Sequence, residues 1–139
     1  MRFKPVVLGF VILAGAVLGA CAGDTDPATN VTDVSARLNA HGHTTGEPAT
    51  WWWEYDTVQA DLGTANDTEV CGVGTGPKET DMRCGPASWE DRGDINLNVV
   101  VTGLAPNTTY YYRACGQDQS WSQGACGSVK SFTTLAGTS

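Results

Sequence analysis

The sequence is short of positive charge. Its 139 residues include eight Lys and Arg against fifteen Asp and Glu, a net charge of −7 at pH 7. Proteins that bind nucleic acid by neutralising phosphates need the opposite balance, so we expect no nucleic-acid partner. At 41% hydrophobic residues the chain is too apolar for wholesale disorder, and it lacks the repeated long apolar runs of a multi-span membrane protein. We expect one small globular domain.

The sequence also lacks familiar catalytic motifs. It has no Gly-x-Ser-x-Gly elbow, HExxH helix, phosphate-binding loop or Gly-x-Gly-x-x-Gly turn, and its only histidines are His41 and His43. A His-x-His pair supplies half of a metal site, but no third ligand accompanies it. We interpret the pair as exposed turn histidines, and the scattered acidic residues as a solvated face rather than a calcium site. We therefore expect a non-enzymatic protein without a metal or cofactor.

The N-terminal segment is organised like an export signal. Basic Arg2 and Lys4 precede an apolar run over residues 6–18, which is shorter than a typical membrane span. The run ends in Leu18-Gly19-Ala20-Cys21, which resembles the lipobox of bacterial lipoproteins. The resemblance implies removal of residues 1–20 as a lipoprotein signal peptide and a diacylglycerol thioether on Cys21. The alternatives are an ordinary secretory signal with a chance cysteine and a plain transmembrane anchor.

Lipidation of Cys21 predicts how the protein is held at the membrane. One acyl chain anchors a protein marginally, whereas two or three chains anchor it stably without a span, since each buried CH₂ contributes ~0.8 kcal/mol. The mature chain would keep six basic residues against fifteen acidic ones, a net charge of −9. Residues 21–29 are small and polar, and we expect them to form an unfolded, lipid-anchored tether. The expected location is the extracytoplasmic side of the cell envelope.

The remaining cysteines, Cys71, Cys84, Cys115 and Cys126, form an even set in an exported chain, which predicts two disulfides. Three connectivities are open. We favour Cys71 with Cys84 and Cys115 with Cys126, because each pair is close in sequence and the second spans a predicted hairpin. Each bridge would contribute ~3 kcal/mol if its geometry is unstrained. Zinc is the competing interpretation, but the spacing lacks the Cys-x2-Cys knuckle of zinc ribbons.

From about residue 30 the apolar residues recur with a period of two, which is typical of half-buried strands. The alternation is clearest over residues 36–40, 51–55, 95–101 and 110–115, and a last strand is predicted over residues 128–135. No segment of the mature chain has a convincing helical period. Gly and Pro interrupt the gaps, so the sequence predicts an all-β antiparallel sandwich.

Residues 103–113 link this fold class to a family. Their sequence Gly-Leu-Ala-Pro-Asn-Thr-Thr-Tyr-Tyr-Tyr-Arg resembles the Gly-Leu-x-Pro-x-Thr-x-Tyr corner of fibronectin type III domains. The resemblance implies an immunoglobulin-like sandwich in which Leu104 plugs one end and the Tyr110 hydroxyl hydrogen-bonds backbone a few residues upstream. It covers most of residues 30–136, with residues 137–139 as a tail. Residues 70–94 depart from the family pattern, and disulfides are unusual in the family.

Aromatic side chains are the most informative surface feature. Side chains alternate along a strand, so Trp51-Trp52-Trp53 cannot all face the core, and the family register turns Trp52 outward. The same register places Tyr111 and Arg113 on that outer face, which the family letters C, F and G, with Glu54 close enough to pair with Arg113. Trp121 lies in the neighbouring loop. These positions predict a ligand-binding face; the alternative is that Trp52 packs beneath residues 70–94. The predicted ligand-binding residues are Trp52, Tyr111, Arg113 and Trp121.

Together these features predict a membrane-anchored binding or structural module that mediates protein interactions at the bacterial cell envelope. The alternative is a carbohydrate-binding module that uses the exposed aromatics of the same face to hold a polysaccharide. A passive spacer or a metal-assisted enzyme is the third hypothesis. The scaffold alone does not choose among them, because sandwiches of this kind host many functions.

Overall fold

The computed structural model describes residues 24–45, 49–71, 73–75, 92–118 and 125–138. Within these ranges the chain forms nine strands and one short 3₁₀ helix, Gln59–Asp61. No helix in the described ranges is long and apolar enough to cross a membrane. The strands are β1 (Asp24–Thr29), β2 (Ser35–Thr45), β3 (Ala49–Asp56), β4 (Thr68–Val70), β5 (Val73–Thr75), β6 (Arg92–Thr102), β7 (Thr109–Asp118), β8 (Ala125–Cys126) and β9 (Lys130–Thr133).

The strands form two antiparallel sheets. The first sheet has the order β1-β2-β6-β5, and the second has the order β4-β3-β7-β8, with β9 also paired to β7. Residues from both sheets build one hydrophobic core, so the sheets pack face to face. This architecture confirms the predicted all-β antiparallel sandwich.

The core follows the predicted alternation of side chains. Trp51, Trp53 and Tyr112 from the second sheet meet Leu38 and Leu97 from the first, and all five are almost fully buried. Tyr55 and Val99, also predicted to face inward, are partly buried and pack against this cluster. Large aliphatic and aromatic side chains thus meet across the gap between the sheets, where removal of apolar surface from water stabilises the fold.

Strand β1 differs from the prediction of an unfolded tether. Residues 24–29 pair with β2, and the Thr25 side chain is only 3% exposed. The Thr25 hydroxyl accepts a hydrogen bond from the Ala114 N–H at 3.0 Å. The Tyr112 hydroxyl donates to the Asp26 carbonyl oxygen at 2.6 Å, so β1 is bonded to β7 in the opposite sheet. These hydrogen bonds explain why a polar, weakly patterned segment is ordered.

Pro27 is accommodated in β1 by an irregularity in the ladder. The β1–β2 register shifts between Asp26 and Thr29, and β1 is an edge strand. A proline has no N–H to donate and is therefore confined to edges and bulges of this kind. The Asn39 amide donates to the Pro27 carbonyl at 2.9 Å and to the Thr29 hydroxyl at 3.0 Å. The Asn39 side chain of β2 thus hydrogen-bonds the Pro27 carbonyl at the irregularity.

The turn before β7 has the geometry that the sequence motif implies. The Tyr110 hydroxyl accepts a hydrogen bond from the Ala105 N–H, five residues upstream, at 2.9 Å. Leu104 is buried at this end of the sandwich, where its N–H bonds the Val34 carbonyl at 3.0 Å. Thr134 closes the same corner, because its hydroxyl donates to the Ala105 carbonyl at 2.6 Å.

Several predictions concern residues outside the described part of the chain. The signal peptide over residues 1–20, the lipidation site Cys21, Cys84 and Trp121 all lie there. Of the divergent segment 70–94, the described parts include the end of β4, strand β5 and the start of β6. The last predicted strand, residues 128–135, is shorter in the structure and runs over Lys130–Thr133.

Candidate functional site

The outer surface of the second sheet brings three of the four predicted contact residues together. Trp53 and Tyr112 are buried on the inner side, so the residues that alternate with them on β3 and β7 face outward. The placement of Trp52, Tyr111 and Arg113 is therefore the one that the sequence predicted, while their role as ligand-binding residues stays a prediction. The β3–β7 register on this surface pairs Trp52 with Cys115, Glu54 with Arg113 and Asp56 with Tyr111.

We call this surface the aromatic face. It is defined by Trp52, Glu54, Tyr111, Arg113 and the Cys115–Cys126 disulfide. An ion pair lies at its centre: the Arg113 Nε donates to Glu54 Oε2 at 2.6 Å. The Glu54 side chain is 6% exposed and that of Arg113 is 27% exposed. The pairing that the sequence predicted is thus formed, and it is largely shielded from water.

Further contacts hold both members of this ion pair in place. The Trp52 indole N–H donates to Glu54 Oε1 at 3.3 Å, so the carboxylate is hydrogen-bonded through both oxygens. On the other side the Arg113 guanidinium lies against Gly63, whose φ of +80° is in the left-handed region. A Cβ at Gly63 would collide with that guanidinium. The Asp67 carboxylate accepts the Gly63 N–H at 2.5 Å and holds this turn beside Arg113.

A disulfide supports the end of the face nearest Trp52. Cys115 and Cys126 are bonded to each other and join β7 to β8, as the sequence predicted. Cys71 is also disulfide-bonded, and its expected partner Cys84 lies outside the described residues. Cys115 is the cross-strand partner of Trp52, so the bridge is attached to β7 directly opposite that residue. Covalent closure at this point limits the movement of the strands that carry the face.

One group of potential metal ligands lies on the face but does not form a metal site. Oxygen and sulfur atoms of Glu54, Cys115 and Cys126 lie within 4.8 Å of one another, and no other such group occurs among the described residues. The two sulfurs are joined in a disulfide, so they cannot act as thiolate ligands. The carboxylate is already paired with Arg113. The cluster therefore contributes packing and hydrogen bonding rather than coordination.

The exposed part of the face is aromatic rather than charged. Trp52 and Tyr111 are both half-buried. For Trp52, this degree of burial lies between the two predictions from the sequence, an exposed ring and a ring packed beneath residues 70–94. The positive charge of Arg113 is balanced by Glu54, and the long stem of the arginine adds apolar surface. Half-buried aromatic rings on a rigid sheet offer flat contact area at a low entropic cost of ordering. Such a surface suits a protein partner or the flat face of a sugar.

His41 lies in a strand rather than in a turn, which corrects the sequence interpretation. It belongs to β2, where it pairs with Asp24 across the β1–β2 ladder. Its Nδ1 lies 2.8 Å from Asp26 Oδ1, and its Nε2 lies 3.4 Å from Asp24 Oδ2. The imidazole of His41 is therefore in contact with two carboxylates, and its backbone is part of the β1–β2 ladder. His43 is also part of β2.

Sequence reasoning missed two contributors to the aromatic face. The turn containing Gly63 and Asp67 was not assigned a role, although it lies against Arg113. Its only sequence signal is a Gly within a polar loop after β3, which marks a turn but does not identify what packs on it. The pairing of the disulfide residue Cys115 with Trp52 was also missed, because it depends on the β3–β7 register.

Comparisons with known proteins identify the fold. No protein-family model matches the chain, and no curated protein matches it significantly. Among solved structures, the chain resembles the sensor domain of the anti-sigma factor RsgI4 from Pseudobacteroides cellulosolvens. A shorter version of that domain is 18% identical, with a TM-score of 0.53 over 84% of this chain and 96% of that one. A longer version is 18% identical, with a TM-score of 0.54 over 86% and 93%.

A solution structure of the same sensor domain gives a similar result. It is 17% identical, with a TM-score of 0.53, and covers 84% of this chain and 76% of that chain. Likeness at this level of identity establishes a shared β-sandwich fold and no shared ligand. The class of protein defined by the fold is therefore a β-sandwich module.

Proposed function

We propose that this protein is a lipid-anchored, extracytoplasmic and non-enzymatic binding module of the bacterial cell envelope. Cys21 would carry the lipid after removal of residues 1–20, and the sandwich would present the aromatic face to another envelope protein. The observation that carries the binding role is the convergence of Trp52, Tyr111 and Arg113 on one outer surface. The description of the similar structures as sensor domains is compatible with this role at the level of fold.

We further propose that the sandwich is fibronectin type III-like. Two features support this finer classification: the hydrogen bond from the Ala105 N–H to the Tyr110 hydroxyl and the buried Leu104 at the same end. A tyrosine that bonds backbone upstream at this corner is a hallmark of immunoglobulin-like sandwiches. The sequence from Gly103 to Arg113 carries the matching motif.

The rigidity of the aromatic face favours recognition over a purely structural role. Its central carboxylate bonds both Trp52 and Arg113, and the disulfide fixes the adjoining strands. A preorganised surface loses little entropy on binding, so more of the contact energy appears as affinity. A passive spacer has no need for such support around half-buried aromatics.

Site-specific crosslinking in cells tests this function. A photoreactive amino acid in place of Tyr111 should capture a discrete envelope protein, because the side chain lies on the contact surface. Arg37 is the matched control, since it is an exposed strand residue of the first sheet. Equal capture from both positions, or none from either, would contradict a specific role for the aromatic face.

A carbohydrate ligand is the second candidate, favoured by the half-buried rings of Trp52 and Tyr111. Aromatic faces stack on sugar rings through their flat apolar surfaces. A Tyr111→Ala variant should then lose retention on an envelope polysaccharide column while remaining folded, as cooperative urea unfolding would show. Val100→Ala, on the exposed side of the first sheet, is the control that should leave retention unchanged. Retention that survives the Tyr111 change would reject the sugar-binding alternative.

A further inference from the structure

The outer surface of the first sheet carries a histidine between two carboxylates. Thr25 and Ala40 are buried, so the residues that alternate with them on β1 and β2 face outward. Asp24 lies opposite His41 in the β1–β2 ladder, and Asp26 is on the same side of β1. We call Asp24, Asp26 and His41 the His41 cluster. It lies on the side of the sandwich opposite the aromatic face, and the proposed binding function does not use it.

Strand pairing brings the His41 cluster together. Asp26 and His41 are 15 positions apart in the chain, and their side chains meet only because β1 is ordered against β2. In the sequence, the pair His41 and His43 supplies half of a metal site without a further ligand. The paired strands place two carboxylates on the first of these histidines, and carboxylate and imidazole are both ligand types for zinc.

Asp26 determines which ring nitrogen of His41 is protonated. His41 Nδ1 lies 2.8 and 2.9 Å from the two carboxylate oxygens of Asp26. A carboxylate accepts hydrogen bonds and donates none, so Nδ1 carries the hydrogen and Nε2 of the neutral ring keeps its lone pair. A carboxylate that accepts the N–H of a histidine in this way also orients the ring and raises the basicity of the other nitrogen. This is the arrangement of carboxylate–histidine–zinc triads.

Nε2 of His41 faces the Asp24 carboxylate at a separation that suits a shared metal ion. The distance from Nε2 to Asp24 Oδ2 is 3.4 Å, longer than the ~2.8 Å of a charge-assisted hydrogen bond. With the ring neutral, both atoms offer electron pairs, and the contact is repulsive unless a cation lies between them. Tetrahedral zinc holds nitrogen and oxygen ligands at ~2.0–2.2 Å, so two of its ligand atoms are ~3.4 Å apart.

We propose that His41 Nε2 and the Asp24 carboxylate bind a divalent transition-metal ion of the zinc type, with Asp26 as the positioning residue. Imidazole suits zinc and its transition-metal neighbours, whereas Ca²⁺ and Mg²⁺ take oxygen ligands. Two protein ligands leave the remaining coordination positions to water, which can reach the site because both side chains are more than half exposed. The site depends neither on the lipid anchor nor on the aromatic face.

A bound ion would fasten the edge strand to the sheet. Asp24 is in β1 and His41 is in β2, so the ion would bridge the two strands. Binding to the folded state alone stabilises the contacts that form the site. We therefore expect zinc to slow hydrogen exchange of the β1 amides.

Zinc titration of the full protein in detergent tests the site. Thiols are alkylated beforehand without reduction, so that any unpaired cysteine cannot bind the ion. Calorimetry should show saturable Zn²⁺ binding that an excess of Ca²⁺ does not displace. His41→Asn and Asp24→Asn should each weaken this binding by at least ~10-fold, since each removes a ligand of the ion. Urea unfolding of each variant checks that it remains folded.

Substitutions of Asp26 separate positioning from a structural role. Asp26→Asn should lower zinc affinity by ~10–100-fold, and Asp26→Glu, which keeps the carboxylate, should recover part of the loss. Asp33→Asn is the matched control, because it removes a carboxylate just before β2, while His41 lies six residues, ~20 Å, into that strand. Zinc affinity should be unchanged in this control.

Three results would overturn the proposal. Absence of saturable zinc binding would leave the His41 cluster as an ion pair of a protonated histidine only. Binding that His41→Asn leaves unchanged would assign the ion to other residues. Binding that does not slow exchange of the β1 amides in the parent would contradict a bridge between β1 and β2.

Discussion

At the scale of single residues, the ion pair of Glu54 and Arg113 is the most consequential contact of the aromatic face. The carboxylate is almost fully buried, and the guanidinium is partly exposed. A buried carboxylate that loses its partner keeps the cost of desolvation without the compensating attraction. We therefore expect that removing Arg113 alone lowers the free energy of unfolding, because the Glu54 carboxylate is then buried without a cation.

The Arg113→Met substitution tests this expectation. It should lower the free energy of unfolding by roughly 2–4 kcal/mol, because Glu54 is left buried without its cation. The double variant Glu54→Leu with Arg113→Met should recover most of that loss, since an apolar pair has no charge to desolvate. Urea unfolding measures both. A single variant as stable as the parent would show that the pair contributes nothing to the fold.

The Tyr110 hydroxyl provides a second test at the scale of single residues. Tyr110→Phe leaves the Ala105 N–H without its acceptor, and we expect a loss of about 1–2 kcal/mol in urea unfolding. Tyr111→Phe removes the same atom from the neighbouring, half-buried residue and should change stability by less than ~0.5 kcal/mol. Equal losses of stability in the two variants would contradict a stabilising role for the hydrogen bond between the Ala105 N–H and the Tyr110 hydroxyl.

The pH dependence of stability should report on Tyr112. Burial raises the pKa of Tyr112 to about 12, and the negative charge of Asp26 contributes to the rise. The unfolded chain ionises this phenol near pH 10, whereas the folded protein keeps it neutral. The unfolded state then binds fewer protons, so the free energy of unfolding falls as the pH rises from about 10 to about 12.

Urea midpoints at a series of alkaline pH values check this prediction. Tyr112→Phe should show a shallower decline over the same range, because it has no phenol to ionise. Tyr55, whose pKa is also raised by burial, leaves a residual decline in that variant. A parent curve that stays flat through pH 11 would be inconsistent with a buried neutral phenol.

At the scale of elements, β1 ties the two sheets together. It pairs with β2 at the edge of the first sheet and receives the Ala114 N–H of the second sheet on the Thr25 hydroxyl. The Tyr112 hydroxyl adds a second link to the Asp26 carbonyl. An edge strand bonded to both sheets resists peeling, which matters if a lipid pulls on it from Cys21.

Thr25→Val tests the importance of that link. Valine has a similar shape but accepts no hydrogen bond, so the Ala114 N–H is left buried and unpaired at a cost of about 1–3 kcal/mol. Hydrogen exchange of the β1 amides should accelerate more than that of β6. Thr102→Val, at an exposed position, should leave both unchanged. Equal protection of β1 in the Thr25 variant and the parent would show that packing alone holds the strand.

The elements that sequence could predict are those with a strong period of two. Residues 36–40, 51–55, 95–101 and 110–114 carry an apolar side chain at every second position, and each segment lies in a strand. β1 was missed because its order comes from hydrogen bonds to residues about 86–89 positions away, which leave no local pattern. The placement of Trp52 and Arg113 was predictable from alternation. The Gly63 turn was not, since its contact with Arg113 is purely tertiary.

At the scale of the whole molecule, the described parts make one sandwich with distinct ends and faces. The corner around Leu104 and Tyr110 lies at one end, and the backbone pairing of Thr45 with Arg92 lies at the other. The aromatic face runs along one side of the second sheet. In the function proposed above, a lipid on Cys21 holds the sandwich at the membrane, and the aromatic face is the surface that contacts a partner.

The intact mass of the membrane-extracted protein, before and after reduction and alkylation, shows whether the protein is lipid-anchored and disulfide-bonded. We expect a chain that begins at Cys21, carries acyl mass and reveals four thiols only after reduction. A chain that retains residues 1–20, or one that begins near Cys21 without any acyl mass, would contradict the anchor. Free thiols before reduction would contradict the disulfide framework.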